Sequence, residues 1–396
     1  MVIKPQESKK LTSLELFAGA GGLSLGVHQA GFQHLGLIEW DESAAKTLKA
    51  NSKQLLGIEP DLVLHRDARE VDYSQFEGVD LLSGGPNCQP FSMGGLSLGD
   101  ADLRNMFPVF FNAKSLIMPK ASLLENVRGL LREKFKDYFS YIQKRLEFPL
   151  LSLKEGEDWR SHYYRLQQVK PKDFADCEQY EVDYQLVDTA DFGVPQRRER
   201  IVITSFRRDL GIKPIKLEKT HSKEALLIDQ WINQSYWERH GISPHSYLSK
   251  TDRKLLERIQ KKLSIPNDYL PWITIRDAIK DLPDPVQRGY QEQFPNHIQH
   301  PGARTYKCHI GSFYDHPAKA LKAGTHGTPG GENMVRVPPD DAVRYFTTRE
   351  AARLQSFPDE WLFQGAWGAC IRQLGNAVPV EIAKLFAGEL YKRLVR

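Results

Sequence analysis

Cysteine is scarce in this 396-residue chain, and the four present are not spaced as pairs. Cys88, Cys177, Cys308 and Cys370 lie far apart, and none forms a C-x-x-C. That argues against a zinc site or a disulfide framework, leaves no metal in the expected chemistry, and suggests a reducing compartment. Long apolar runs are also missing, which excludes an uninterrupted membrane-spanning segment. The opening residues MVIKPQESKK lack the apolar core of a signal peptide. The expectation is therefore a soluble protein of the cytoplasm, in a bacterial cytosol or nucleoid. Charge of one sign does not dominate either. With 54 Lys and Arg against 50 Asp and Glu, the net charge of +4 permits a polyanionic partner without demanding one. Internal repeats and low-complexity tracts are absent. What remains is 41% hydrophobic and 26% charged, an ordinary globular composition in a chain too long for a single core.

The apolar runs that do occur are short and alternate with helical periods. Residues 13–17, 35–39, 62–65, 79–83 and 121–125 read as strands, and 23–30, 43–50 and 103–117 as helices. This βαβα order predicts an α/β fold built on a doubly wound parallel sheet. Two further strand-like runs, 184–187 and 201–205, flank the loop DTADFGVPQRRER and are placed to pair antiparallel. Between about 209 and 345 the character changes to prolines, histidines and scattered aromatics, which predicts a second, loop-rich domain. One basic helical stretch stands out there at 250–262, readable equally as a solvated face or as a phosphate-contacting one. The amphipathic 380–395 is expected to return to the first domain.

Two stretches carry the chemistry. Gly19, Gly21 and Gly22 follow the first strand and precede a helix, where backbone can approach a nucleotide-like ligand. The dinucleotide pattern G-x-G-x-x-G needs a glycine where Ser24 stands, which weakens an NAD reading. Glu39 ends the second strand, placed for ribose hydroxyls; Trp40 follows it, able to stack on adenine; Asp67, after the third strand, suits an exocyclic amine. An acid, an aromatic and an acid at strand ends, without a phosphate cradle, fit S-adenosylmethionine better than a dinucleotide. The second stretch, LLSGGPNCQPFS at 81–92, holds Cys88 in a Gly/Pro loop at a strand end. Alone, such a cysteine reads either as a small buried hydrophobe or as a nucleophile that acts as thiolate.

Six segments together resemble the C5-cytosine DNA methyltransferases. LELFAGAGGLSLG looks like that family's cofactor-binding opening, GGPNCQPFS its nucleophile loop, ENVRGL its glutamate motif and QRRERIVI its arginine motif. REAARLQSFPD and LGNAVP are similar to its two closing motifs, and all six stand in the family's order. The resemblance implies a Rossmann-like, S-adenosylmethionine-dependent methyltransferase domain at 1–208 and 374–396, with a target recognition domain at 209–373. It implies Cys88 as nucleophile, Glu125 as the group handling the cytosine N3 proton, and Arg198 and Arg200 as residues that orient the base and stabilise the intermediate. Phe17, Gly19, Gly21, Gly22, Glu39, Trp40, Asp67, Ala68, Asn376 and Val378 would form the cofactor pocket, and Gln355 would support the recognition domain. Where the family usually has a second proline before the cysteine, this chain has Asn87, which loses the φ restriction while keeping a carbonyl.

The chemistry asks for these residues. A thiolate adding at C6 of cytosine breaks the ring's aromaticity and makes C5 enamine-like, and a proton delivered to N3 by Glu125 draws density that way. Because the thiol must reach C6 from above the ring, the cytosine has to leave the duplex. The implied partner is double-stranded DNA bound by a monomer, sequence-specifically, in a restriction-modification setting with a separate endonuclease. A transfer RNA cytosine methyltransferase and a catalytically silent DNA-binding relative are the alternatives. The segment WITIRDAIKDLPDP at 272–285 resembles one that in the family follows soon after the arginine motif. Here 209–271 intervenes, and it is expected to carry part of the sequence recognition; 250–262 and the cluster HPGARTYKCHIGS at 300–312 are candidates for DNA contact, each readable equally as ordinary surface.

Overall fold

Leu14, Leu16, Leu81 and Leu82 are fully buried, as residues of strands covered on both faces of a sheet must be. The computed structural model describes residues 10–87, 105–244, 248–261, 268–287, 289–307, 309–324, 331–340 and 342–396. Cys88, Lys262 and Cys308 lie outside them. The strands are β1 (Thr12–Leu16), β2 (Gln33–Glu39), β3 (Val63–His65), β4 (Leu81–Gly84), β5 (Ala121–Val127), β6 (Tyr180–Asp188), the two-residue β7 (Gln196–Arg197) and β8 (Glu199–Arg207). Among the described residues, all but β7 form one seven-stranded sheet in the order β3-β2-β1-β4-β5-β8-β6. The pairs β1–β2, β2–β3, β1–β4 and β4–β5 are parallel, so five strands point their carboxyl ends at one edge. The order reverses direction at β1 and β4, the place where open α/β sheets leave a crevice.

Four helices pack around the sheet's chain path: α1 (Gly22–Gln29), α2 (Glu42–Leu55), α3 (Phe107–Ile117) and α4 (Lys136–Glu147). The core joins Leu14, Leu16, Ile38, Leu82 and Leu124 of the sheet to Phe107, Phe110 and Phe111 of α3 and Tyr138, Tyr141 and Ile142 of α4. The helix α5 (Trp159–Gln167) follows in the stretch without clear sequence period, begun by an Asp158 cap on the Ser161 amide. The C-terminal helix Val380–Leu394 brings Tyr391 edge-on to Phe32, with ring centroids 5.2 Å apart. A Cβ on Gly31 would meet that Tyr391 ring at 3.1 Å, so glycine is needed there for space as well as for its φ of 110°.

Contacts divide the chain into two units. One comprises the residues up to Leu186 with Ile201–Lys216 and Ala383–Arg396; the other is Val187–Arg200 with Leu217–Ile382. The boundaries differ from the expected 208/209 and 373/374, because residues 187–200, with the first half of the arginine motif, and residues 374–382 make their contacts within the second unit. That unit holds short strands: β9 (His221–Ser222), β10 (Leu270–Pro271), β11 (Ser312–Phe313), β12 (Ala318–Lys319), β13 (Met334–Val337) and β14 (Ala342–Tyr345). β9 pairs with β10, β12 with β7, and β13 lies between β11 and β14. Its helices are α6 (Lys223–Trp231), α7 (Ser235–His240), α8 (Lys250–Lys261), α9 (Ile275–Ile279), α10 (Thr348–Leu354) and α11 (Trp367–Asn376). Among the described residues no helix is long and apolar enough to cross a membrane.

Candidate active site

Every described candidate of the first unit sits at the carboxyl edge of the parallel strands. Phe17 to Gly21 follow β1, Glu39 ends β2, Asp67 comes after β3, Gly85 to Asn87 leave β4, and Glu125 lies near the end of β5. The turn after β1 is tight: Phe17, Gly19 and Gly21 all have positive φ, at 59°, 56° and 89°. Gly21 caps α1 in the left-handed conformation, and a Cβ on Gly19 would meet nothing within 4 Å. The Gly19 amide donates to Glu39 Oε2 at 2.7 Å, and the Asp41 amide donates to Oε1 at 2.7 Å. One carboxylate thus ties the glycine loop to the end of β2. Burial raises the pKa of Glu39, with the amide bonds from Asp41 and Gly19 opposing it.

Trp40 presents 74% of its surface, unusual for that residue type and suited to stacking on a flat ring. Asp67 is more engaged than its expected role requires. Arg69 grips its carboxylate with Nε and Nη2, at 3.0 Å and 2.7 Å, and the Arg69 amide donates to it as well. A ligand amine there must share that carboxylate or swing Arg69 aside, and a solvent-exposed pair of this kind gives way easily. Ala68 is buried, its carbonyl accepting from the Tyr73 hydroxyl at 2.6 Å. These features fit an adenosine-bearing cofactor: an exposed stacking face, two strand-end acids and a glycine turn open to an incoming group.

Beneath the glycine loop lies a residue the sequence reading passed over. Glu15 on β1 is fully buried, accepting from Ser24 Oγ at 3.0 Å and from Ser83 Oγ at 3.5 Å. Burial pushes its pKa up to about 8; the serine hydroxyl bonds oppose this and the Glu39 charge adds to it. His34 completes the layer, with Nε2 donating to the Ser24 carbonyl and Nδ1 facing Ser13 Oγ, both at 2.9 Å. Burial lowers its pKa to about 4, so it stays neutral. Ser24, whose presence argued against NAD, is thus the anchor of α1. Because folded Glu15 binds its proton more tightly than an unfolded glutamate at about 4.5, its contribution is full below pH 4.5 and declines as pH rises to about 8. Glu15→Gln is expected to remove that decline. Thermal melts across this range should show the variant gaining on the wild type by a few kcal/mol as pH rises.

At the end of β4 the chain passes beside Glu125. A Cβ on Gly85 would lie 3.6 Å from Glu125 Oε2, as the parallel register of Gly84 with Leu124 requires. Asn126, buried next in the glutamate motif, donates from Nδ2 to the Pro86 carbonyl at 3.1 Å. The backbone leading to Cys88 is therefore held two residues before the cysteine, and Asn87 is the last described residue of that segment.

The two arginines of the second unit part company. Arg198 is 2% exposed. Its Nη1 donates to the Leu321 carbonyl at 3.1 Å, and Nη2 to the carbonyls of Gly375 and Ala377 at 2.6 Å and 3.1 Å. These three carbonyl bonds give Arg198 a framework role within the second unit. Arg200 is half-buried and donates to the Glu199 carbonyl at 2.8 Å. Gln196, another residue not singled out from sequence, donates to the Leu354 carbonyl and accepts from the Leu321 amide. Asn333 brackets the next residue by bonding both the amide and the carbonyl of Lys322 at 3.0 Å. A Cβ on Gly375 would come within 2.3 Å of the Ala323 amide, so only glycine allows this packing. Gln355 is buried and donates to the Leu374 carbonyl at 2.7 Å. Asn376 closes α11 with its side chain exposed, and Val378 follows it, buried.

The fold and this strand-edge arrangement define a Rossmann-like methyltransferase of the S-adenosylmethionine-dependent class. The profile of the family described as C-5 cytosine-specific DNA methylase matches residues 11–149 and 160–392, and the chain belongs to that family. It is similar to the Type II methyltransferase M.PspPI of Psychrobacter sp. (strain TA137), 33% identical over 387 residues covering 97% of this chain and 79% of that one. It is 32% identical to the Type II methyltransferase M.Sau96I of Staphylococcus aureus, covering 97% of this chain and 76% of the other. Among solved structures, a variant of Spodoptera frugiperda DNMT2 shares the fold with a TM-score of 0.56 at 18% identity, covering 98% of this chain and all of that one.

Proposed function

We propose that the protein is a sequence-specific DNA (cytosine-5)-methyltransferase, the modification enzyme of a restriction-modification system. The observation that carries this reading is the junction of β4 and β5, where the loop bearing Cys88 departs beside Glu125 and is tied down by Asn126 through Pro86. A nucleophile loop next to a carboxyl group is what addition to C6 and protonation at N3 require. Cys88 attacks C6 as thiolate, Glu125 gives N3 its proton, and Arg200 holds the base and the charge that develops on it. S-adenosylmethionine, when bound, would supply the methyl group to C5, leaving S-adenosylhomocysteine. Phe17 and Trp40 would pack on its adenosine, Glu39 would accept from the ribose and Asp67 from the adenine amine. Loss of the C5 proton to solvent then lets Cys88 leave as thiolate by β-elimination, and N3 returns its proton to Glu125.

The target cytosine has to be flipped out of the duplex, at a cost of a few kcal/mol that DNA contacts of the second unit offset. The purified protein, given methyl-labelled S-adenosylmethionine with duplex DNA or with transfer RNA, is expected to label only the duplex, at C5 of cytosines in one sequence. Bisulfite sequencing of DNA from expressing cells reads that sequence directly. Label in transfer RNA alone, or in neither, would overturn the proposal.

A further inference from the structure

We infer that the outer face of helix α8 is a docking surface for the phosphate backbone of duplex DNA, supplying affinity that does not depend on base sequence. This rests on the reading of the protein as acting on DNA.

The helix belongs to the stretch 209–271 that separates the arginine motif from the segment beginning at Trp272. Much of that stretch is a closed excursion. It leaves at β9 and returns at β10, whose backbones pair in register, His221 with Leu270 and Ser222 with Pro271. Within it, α8 lies on α6, burying Leu256 and Ile259 against Leu227, with Trp231 and Leu255 at the margin. Ser249 caps the helix by accepting from the Asp252 amide at 3.0 Å. Asp252 is itself turned inward, buried and ion-paired with Lys223 of α6.

That packing leaves a face of one sign. Lys250, Arg253, Lys254, Arg258 and Lys261 are all exposed. At 100° per residue they fall within an arc of about 140°, opposite the buried stripe of Asp252, Leu256 and Ile259. Glu257 is the single acid on the arc. Among the described residues none of the five cations is in an ion pair, although many lysines and arginines elsewhere in the chain are, as with Arg239 on Asp229, Arg276 on Asp315 and Arg353 on Asp281. Lys250 also stands in the first turn, where the helix dipole disfavours a cation, whereas Arg258 and Lys261 stand in the last turn, where it favours one. Local stability therefore does not account for the unpaired cations at the start of the helix or for a face of one sign along its whole length, and an external anion does.

The geometry points to phosphate groups rather than base edges. Over roughly 18 Å of helix the five charges are spread across a broad convex face, which suits a row of backbone phosphates. Base reading needs a few side chains converging on one groove position, and the arc offers long flexible cations instead.

The test replaces Lys250, Arg253, Arg258 and Lys261 with glutamine together, and measures binding of a short fluorescent duplex lacking the target sequence over a range of salt concentrations. The plot of log affinity against log salt is expected to become shallower by about 2–4, with affinity near physiological salt falling about 10- to 100-fold. The KM for DNA should rise, while kcat at saturating DNA and the methylated sequence stay as in the wild type. A second variant exchanging lysine and arginine at the same four positions is expected to keep the wild-type slope. Should the quadruple variant fail to fold, Arg253→Gln and Lys261→Gln alone are each expected to lower the slope by about 0.5–1. An unchanged slope in folded variants, an equal loss in the charge-conserving variant, or a loss confined to transfer RNA would each overturn the inference. Those results with a wild type that methylates duplex DNA sink this inference alone; a wild type that neither binds nor methylates it sinks the functional reading too.

Discussion

Cys88→Ala is expected to reduce methyl transfer to background while the protein still folds and still binds DNA. C5 of cytosine is unreactive until something adds at C6, and the two cysteines among the described residues are engaged elsewhere. Cys177 belongs to the surface turn before β6, and Cys370 is buried in α11, its Sγ directed at the carbonyls of Gln364 and Gly365. The described backbone on the approach to Cys88 is fixed independently of the thiol, by the Asn126 bond to Pro86 and by the β4–β5 register. Removing the sulfur should therefore leave the loop's point of departure unchanged. Serine does not rescue, because its hydroxyl is scarcely ionised at neutral pH and nucleophilic attack needs the anion. Labelled-methyl assays beside a melting curve and a duplex-binding isotherm separate the outcomes. Near-wild-type turnover in a folded Cys88→Ala protein would remove Cys88 from the chemistry and with it the mechanism proposed above.

Much of the strand edge was legible because its signals are local. Glu39, Trp40 and Asp67 each follow a short apolar run, and a strand's end can be read from the run itself. Extents were harder. Helix α2 runs on to Leu55, past the expected end at 50, since Asn51 and Ser52 look like turn residues but are buried, with Asn51 bonded back to the Thr47 carbonyl. Helices α6 and α7 lie in the stretch expected to be loop-rich, and they are hard to read from sequence because their packing partners are distant along the chain. Tyr236 and Trp237 are buried with Trp272 and Ala190, a cluster no local window contains. Glu15 was invisible for a related reason. A single acid inside an apolar run looks like a sheet-edge position until Ser24 and Ser83 are seen to close over it.

The same limit governs the arginine motif, and it sets up the second large effect. QRRERIVI marks two arginines as important but cannot distinguish them, because the carbonyls that Arg198 serves lie 123 to 179 residues further along the chain. In the structure Arg198 joins Leu321, Gly375 and Ala377, while Gln196 from β7 grips the Leu321 amide. Arg198→Ala leaves buried carbonyls without donors and a void where the guanidinium was, a loss of about 3 kcal/mol or more. The expected result is a marked fall in melting temperature together with loss of activity. Arg198→Lys should recover only part of both, since an ammonium cannot reproduce the planar fork that reaches three acceptors. Arg200→Ala, by contrast, is expected to cut methyl transfer with little change in the melt. If both alanine variants lost activity at unchanged stability, Arg198 would return to the substrate-facing role its motif suggested. A fall in stability for Arg198 alone means that the motif couples a framework arginine to a functional one two residues away, on opposite sides of Glu199.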